Sequence, residues 1–133
     1  MAEIRVPISP GELIDKLTIL EIKSERMTDA QKLENVRLEL ALLEDTWHGS
    51  AYGAADVSAD RQALKQINEQ LWEIEDEIRD KERERAFDAR FVELARAVYF
   101  TNDERARIKR RINDRLGSKI VEEKSYADYG NRP

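Results

Sequence analysis

The sequence predicts an all-α protein: a helical bundle of about five helices around a long antiparallel hairpin, with short extended N- and C-terminal segments. Three observations point there. Of 133 residues, 38% are charged and 7% aromatic, with only five glycines and three prolines, a profile that favours helix over sheet. Apolar residues recur at steps of three and four, the spacing of one helix face. Capping patterns, a Ser, Thr or Asp shortly before a Glu or Gln, mark several helix starts. The length suits one modest core, so residues 1–133 are read as a single helical domain.

Residues 3–8, EIRVPI, alternate Ile4, Val6 and Ile8. They read as a short extended segment in which Pro7 rules out a central strand position. Ser9-Pro10-Gly11-Glu12 then starts a helix of about 10–26, with serine as cap, proline at the first position and Glu12 reaching back to the serine N–H. Leu13, Leu17, Leu20 and Met27 form one stripe of this helix. Ile14, Thr18 and Ile22 lie on another side, Glu21 projects between Leu17 and Ile14, and Ile19 falls in a polar wedge with Glu12, Asp15 and Lys16. A helix with two apolar faces is expected at the centre of the bundle, or with one face on a second subunit.

Thr28-Asp29-Ala30-Gln31 opens the next helix, about 29–47, whose apolar positions are Leu33, Val36, Leu40, Leu43 and Trp47. The glycine-containing stretch 48–58 is a loop. A third helix, about 59–85, capped by Ser58, carries a regular seam of Leu64, Ile67, Leu71, Ile74 and Ile78. These two should pair as the antiparallel hairpin, with Trp72 off the seam. Asp88 caps a helix of about 89–100, with Phe87 stapled to Val92. Thr101-Asn102-Asp103-Glu104 suggests a fifth helix of about 103–116, stopped by Gly117. Residues 117–133 are a non-helical tail that could return across the bundle beside the N-terminal segment.

Composition narrows the chemistry. The absence of cysteine removes disulfides, thiolate metal sites and cysteine nucleophiles. The one histidine, His48, sits at a helix end, where the helix C-terminus accounts for it. No apolar run reaches the ~20 residues of a membrane span, and MAEIRVPIS has no apolar targeting core, so a cytoplasmic setting is expected. Net charge is −5, which argues against a chain that coats nucleic acid.

The basic residues of the expected fifth helix, ERARIKRRINDR, wrap around it rather than forming a stripe, which again argues against a phosphate-tracking surface. Arg105 and Lys109 stand out because they lie beside its apolar stripe of Ile108, Ile112 and Leu116. A cation there needs a partner, since a buried unpaired charge is costly. Glu21 has the matching problem on the first helix, so Arg105 is expected to pair with Glu21 or with another acid of that helix such as Asp15. The functional alternative is that Arg105 and Lys109 bind an anionic ligand. The acids Glu69, Glu73, Asp76 and Asp80 have the helical spacing of magnesium-holding pyrophosphohydrolases, but they flank the seam and read better as a solvated face. In the tail, Lys124 and Tyr126 are candidate contacts that clasp the bundle or dock a partner.

Four stretches, VPISPGELIDKLTILEIK, LWEIEDEIRDKE, FVELARAVYFTNDERARIKRRIN and LGSKIVEEKSY, resemble in the same order a bacterial family of short helical proteins classed as a domain of unknown function. The resemblance runs over nearly the whole chain. It implies no catalytic residue and no cofactor. It implies only a loose setting, since related domains occur with tetratricopeptide repeats or surface-polysaccharide glycosyltransferases.

Together these readings favour a non-catalytic adaptor or interaction module, with a protein partner or a second copy of itself. The alternative is a domain binding an anionic small molecule such as a sugar nucleotide. The two differ in whether Arg105 and Lys109 line a cleft or are consumed by internal acids.

Overall fold

Four helices follow one another in the computed structural model: α1 (Pro10–Arg26), α2 (Ala30–His48), α3 (Ser58–Glu84) and α4 (Ala89–Leu116). The structure describes residues 2–126 and 129, and no strand occurs among them. The expectation for the tail at 127, 128 and 130–133 lies outside the described residues.

Most helix ends have the local chemistry the sequence announces. Ser9 Oγ accepts the Glu12 N–H at 3.1 Å and Asp88 the Phe91 N–H at 3.0 Å, while α2 is capped one residue later than the Thr28–Gln31 box implies, by Asp29, which accepts the Lys32 N–H at 2.9 Å. Each satisfies a backbone donor that the first turn leaves free. Gly117 closes α4 in the left-handed region, with φ 67°, where only glycine sits without steric cost.

Three further local expectations are corrected. Ser58 is not the cap of α3, because its hydroxyl donates to Asp56 Oδ1 at 2.7 Å and Val57 holds the cap position without a side-chain bond. Glu12 does not complete a capping box, because its carboxylate is drawn instead to Lys109 at 2.6 Å. Phe87 meets Phe91 edge-on at 5.1 Å, and both Phe87 and Val92 are more than half exposed.

The two short helices expected over 89–100 and 103–116 are one 28-residue helix. Neither glycine nor proline interrupts this stretch, and the capping side chains at 102 and 103 turn to tertiary partners. Asn102 Oδ1 accepts from Arg105 Nη1 at 3.4 Å, and Asp103 accepts from Lys124 Nζ at 2.5 Å.

That fusion also changes which helices form the long hairpin. At ~1.5 Å per residue, α4 spans about 42 Å and matches α3 in length. The short turn at 85–88 folds α4 back antiparallel on α3, so that Arg90 pairs with Glu77 at one end while Arg111 and Arg115 pair with Asp60 at the other. α2 packs along α1 instead and makes no close backbone approach to α3. It reaches α3 through side chains, as in the 2.6 Å contact of Arg61 with Glu44.

α1 contacts all three other helices, which accounts for its two apolar faces. Ile14 and Leu17 are fully buried in one cluster with Trp47 of α2, Leu64 of α3 and Ile108 and Ile112 of α4. The sequence also allowed one face to meet a second subunit, but the chain's own helices cover both. At Gly11 α1 comes close to α4: a Cβ there would stand 2.5 Å from the Lys109 carbonyl oxygen and 2.8 Å from Asn113 Oδ1.

Candidate functional site

Arg105, Lys109 and Asn113 lie four residues apart and so share one face of α4. That face meets the first turns of α1. Arg105 Nε donates to both carboxylate oxygens of Asp15, at 3.0 and 3.2 Å, and its Nη2 donates to the same group. Lys109 Nζ donates to Glu12 at 2.6 Å and lies 4.0 Å from Asp15. Asn113 Oδ1 accepts the buried Gly11 N–H at 2.7 Å. The result is a polar ladder between two helices whose other contacts are apolar.

Asp15 is 1% exposed, so its charge depends entirely on these partners. Asn68 of α3 supplies a further donor to Asp15 at 2.9 Å and a second bond to the buried Thr18 hydroxyl at 2.9 Å. The hydrogen bonds to Asp15 hold the Arg105 guanidinium above its ordinary pKa.

Glu21 is not part of this ladder. It accepts from Arg61 Nε at 3.0 Å, and Lys65 lies 3.5 Å away, so a separate ion-pair group joins α1, α3 and Glu44 of α2. The structure therefore brings together Arg105, Lys109 and Asp15 and sets Glu21 apart from them. Three members of the ladder, Asn113, Asn68 and Gly11, were not singled out from the sequence. An asparagine on an apolar helix stripe is the signal that was available, since Asn68 falls between Leu64 and Leu71 and Asn113 follows Ile112. Asp60, buried and shared by Arg111 and Arg115, carries the same kind of signal one turn before Leu64.

The tail runs over this end of the bundle as a strap. Glu122 Oε1 accepts from Ser9 Oγ at 3.0 Å and from Asn113 Nδ2 at 3.2 Å. Lys124 pairs with Asp103, and the Tyr129 hydroxyl donates to the same carboxylate. Tyr129 also packs on Tyr99 and Phe100 at 5.4 and 5.0 Å. Tyr126 is 85% exposed, with the Lys124 ammonium 5.6 Å from its ring. Two hollows, of about 270 and about 820 Å³, lie between strap and α4 and share Arg110, Lys124 and Tyr126 on their walls.

Asp103 anchors the strap in a pH-dependent way. Hydrogen bonds from Lys124, and secondarily from Tyr129, hold its carboxyl below the usual aspartate range. A lowered folded-state pKa means that the contribution is present above the unfolded value and is lost as pH falls through the folded one. The strap is therefore expected to loosen in acid, below about pH 4. NMR of the amides of residues 119–126, followed from neutral pH down to the acid unfolding of the bundle, checks this, and strap shifts that stay native until the bundle itself unfolds would contradict it.

A third hollow of about 460 Å³ opens between α1, α3 and α4. Ile19 and Trp72, the two apolar residues off their stripes, both border it. Arg26 stands 5.9 Å from the Trp72 ring. Arg105 and Asn102 separate this hollow from the smaller one beneath the strap.

The acids suspected of holding magnesium do not converge. Glu73 pairs with Arg26 and Asp80 with Arg83, and no group of three or more metal-ligating side chains occurs among the described residues. No described helix is long and apolar enough to cross a membrane.

A family model described as a family of unknown function (DUF6165) matches residues 4–133. The chain belongs to the DUF6165 family. No curated protein and no solved structure matches it. For this DUF6165 member, what the ladder and the strap do has to be argued from their own geometry.

Proposed function

We propose that the protein is a non-catalytic helical interaction module, a single domain that acts in a bacterial cytoplasm by holding a protein partner. The observation that carries this reading is the internal pairing of the α4 cations. Arg105 and Lys109 are engaged by Asp15 and Glu12, and Arg111 and Arg115 by Asp60. A cation whose hydrogen bonds are committed to a buried acid has little left for a diffusing anion. The apolar surface left uncovered also supports it. Leu38 and Leu42 stand 63% and 48% exposed, one turn apart on α2, and Ile4 and Val6 of the N-terminal segment are 92% and 66% exposed.

A domain binding an anionic small molecule remains the second reading. It is favoured by the position of Arg105 and Lys109 on the wall of the smaller hollow. Thermal shift against nucleotides, sugar nucleotides, phosphates and divalent metals separates the two. The interaction module is expected to show a flat response. A concentration-dependent rise with one ligand class, removed by Lys109→Met, would replace it with the small-molecule reading.

A further inference from the structure

The strap carries two consecutive glutamates, Glu122 and Glu123, seated on a surface that offers them donors. Ser9 and Asn113 are both 1% exposed, yet each turns one hydrogen bond outward to the exposed Glu122. The same point is the N-terminus of α1, where the helix dipole favours a carboxylate. Glu123 stands next, 3.5 Å from the Arg110 guanidinium, and Lys124 then meets the acid Asp103. The surface thus reads two carboxylates followed by a cation.

Its hold on the strap is thin. Residues 119–126 make no backbone-to-backbone hydrogen bond among those of the described residues, and Ile120 is 39% exposed. Among the described residues, Arg110 pairs with Asp114 and Glu123 at 3.6 and 3.5 Å, both longer than good hydrogen bonds. Among the described residues, two hollows stay open between the strap and α4.

We infer that this groove, along α4 beside the start of α1, is the docking site for an extended segment of a partner protein that carries two consecutive carboxylates, and that residues 120–126 occupy it in cis as a stand-in. The inference rests on the interaction-module reading and names the partner's chemistry: consecutive carboxylates for Ser9, Asn113 and Arg110, then a cation for Asp103. A tethered stand-in competes at an effective concentration of order millimolar, so it screens out weak partners and yields to one that also fills the hollows.

The test uses a fluorescein-labelled SKIVEEKSY peptide and the full-length chain. Glu122→Ala with Glu123→Ala weakens the stand-in, and anisotropy should then show the peptide binding at least about tenfold tighter than to the unaltered chain. A SKIVQQKSY peptide should not bind, and Arg110→Glu in the released background should abolish binding. Equal affinity for released and unaltered chains, or for the two peptides, overturns the inference. So does a dimer of the unaltered chain that the double substitution abolishes, since the occupant would then be a second copy's tail. Should the double variant melt early, Arg110→Glu in the otherwise native chain serves instead. The amide NMR shifts of 119–126 should then move towards random-coil values, and unchanged shifts overturn the inference. A failed peptide leaves the interaction-module reading on its other support, whereas a ligand response in thermal shift removes that reading whatever the peptide does.

Discussion

Asp15→Ala is expected to destabilise the protein by about 3 kcal/mol, with no compensating change elsewhere. The carboxylate is buried and receives Arg105 from α4 and Asn68 from α3, so its loss strands donors on two helices at once. Removing one partner of a buried pair typically costs ~3–5 kcal/mol because the other charge remains. The lower end applies here for two reasons. The Arg105 side chain keeps 29% of its surface in contact with solvent and can turn toward water. Asn68 also retains its bond to Thr18. Urea unfolding of Asp15→Ala, Arg105→Met and the double variant measures the effect. The double variant should lose less than the sum of the singles, since the guanidinium is then no longer left without its acid and only the Asn68 N–H stays stranded. A single-variant loss under about 1 kcal/mol would show that Asp15 does not hold α4 to α1.

The elements that were legible in the sequence are those fixed by short-range chemistry. Ser9, Asp88 and Gly117 act on backbone groups within a few residues, so their roles follow from order alone, whereas the α2 cap fell on Asp29 and not on Thr28. The need of Arg105 for an acid was legible too, because a cation beside Ile112 and Leu116 has few places to go. Partner choice was not. α1 is buried on both faces, so a helical wheel shows that Glu21 needs a cation without showing whether α3 or α4 provides it. The seam on α3 could face either α2 or α4, and the decision turned on the length of α4. Thr101-Asn102-Asp103-Glu104 carries the composition of a helix start, but the side chains at 102 and 103 serve Arg105 and Lys124 instead. Asn68 and Asn113 escaped because a neutral amide raises no charge to be balanced. Glu122 escaped because a tail acid has no periodicity to place it.

The ladder and the strap meet at one point, and Gly11 stands there. Gly11→Ala should cost about 3 kcal/mol, near the upper end of overpacking losses in a tight contact. The added methyl would fall 2.5 Å from a backbone carbonyl of α4, and backbone cannot swing aside as a long side chain can. α1 must therefore move away from α4. That movement lengthens the 2.7 Å bond from the Gly11 N–H to Asn113 and leaves two buried polar groups poorly paired. Alanine is otherwise the better helix former, so a stabilised variant would mean that α1 and α4 are not in close contact. Asn113 also donates to Glu122, so the effect should reach the strap. The amide NMR shifts of 119–126 should move towards random-coil values in Gly11→Ala even where hydrogen exchange shows the rest of the bundle still protected. Asp15→Ala acts one turn further along the ladder, next to Arg105, and should leave the strap shifts closer to those of the native chain. A strap equally loosened in both variants would mean that it responds to bundle stability as a whole, and not to the Ser9–Asn113 junction that holds Glu122.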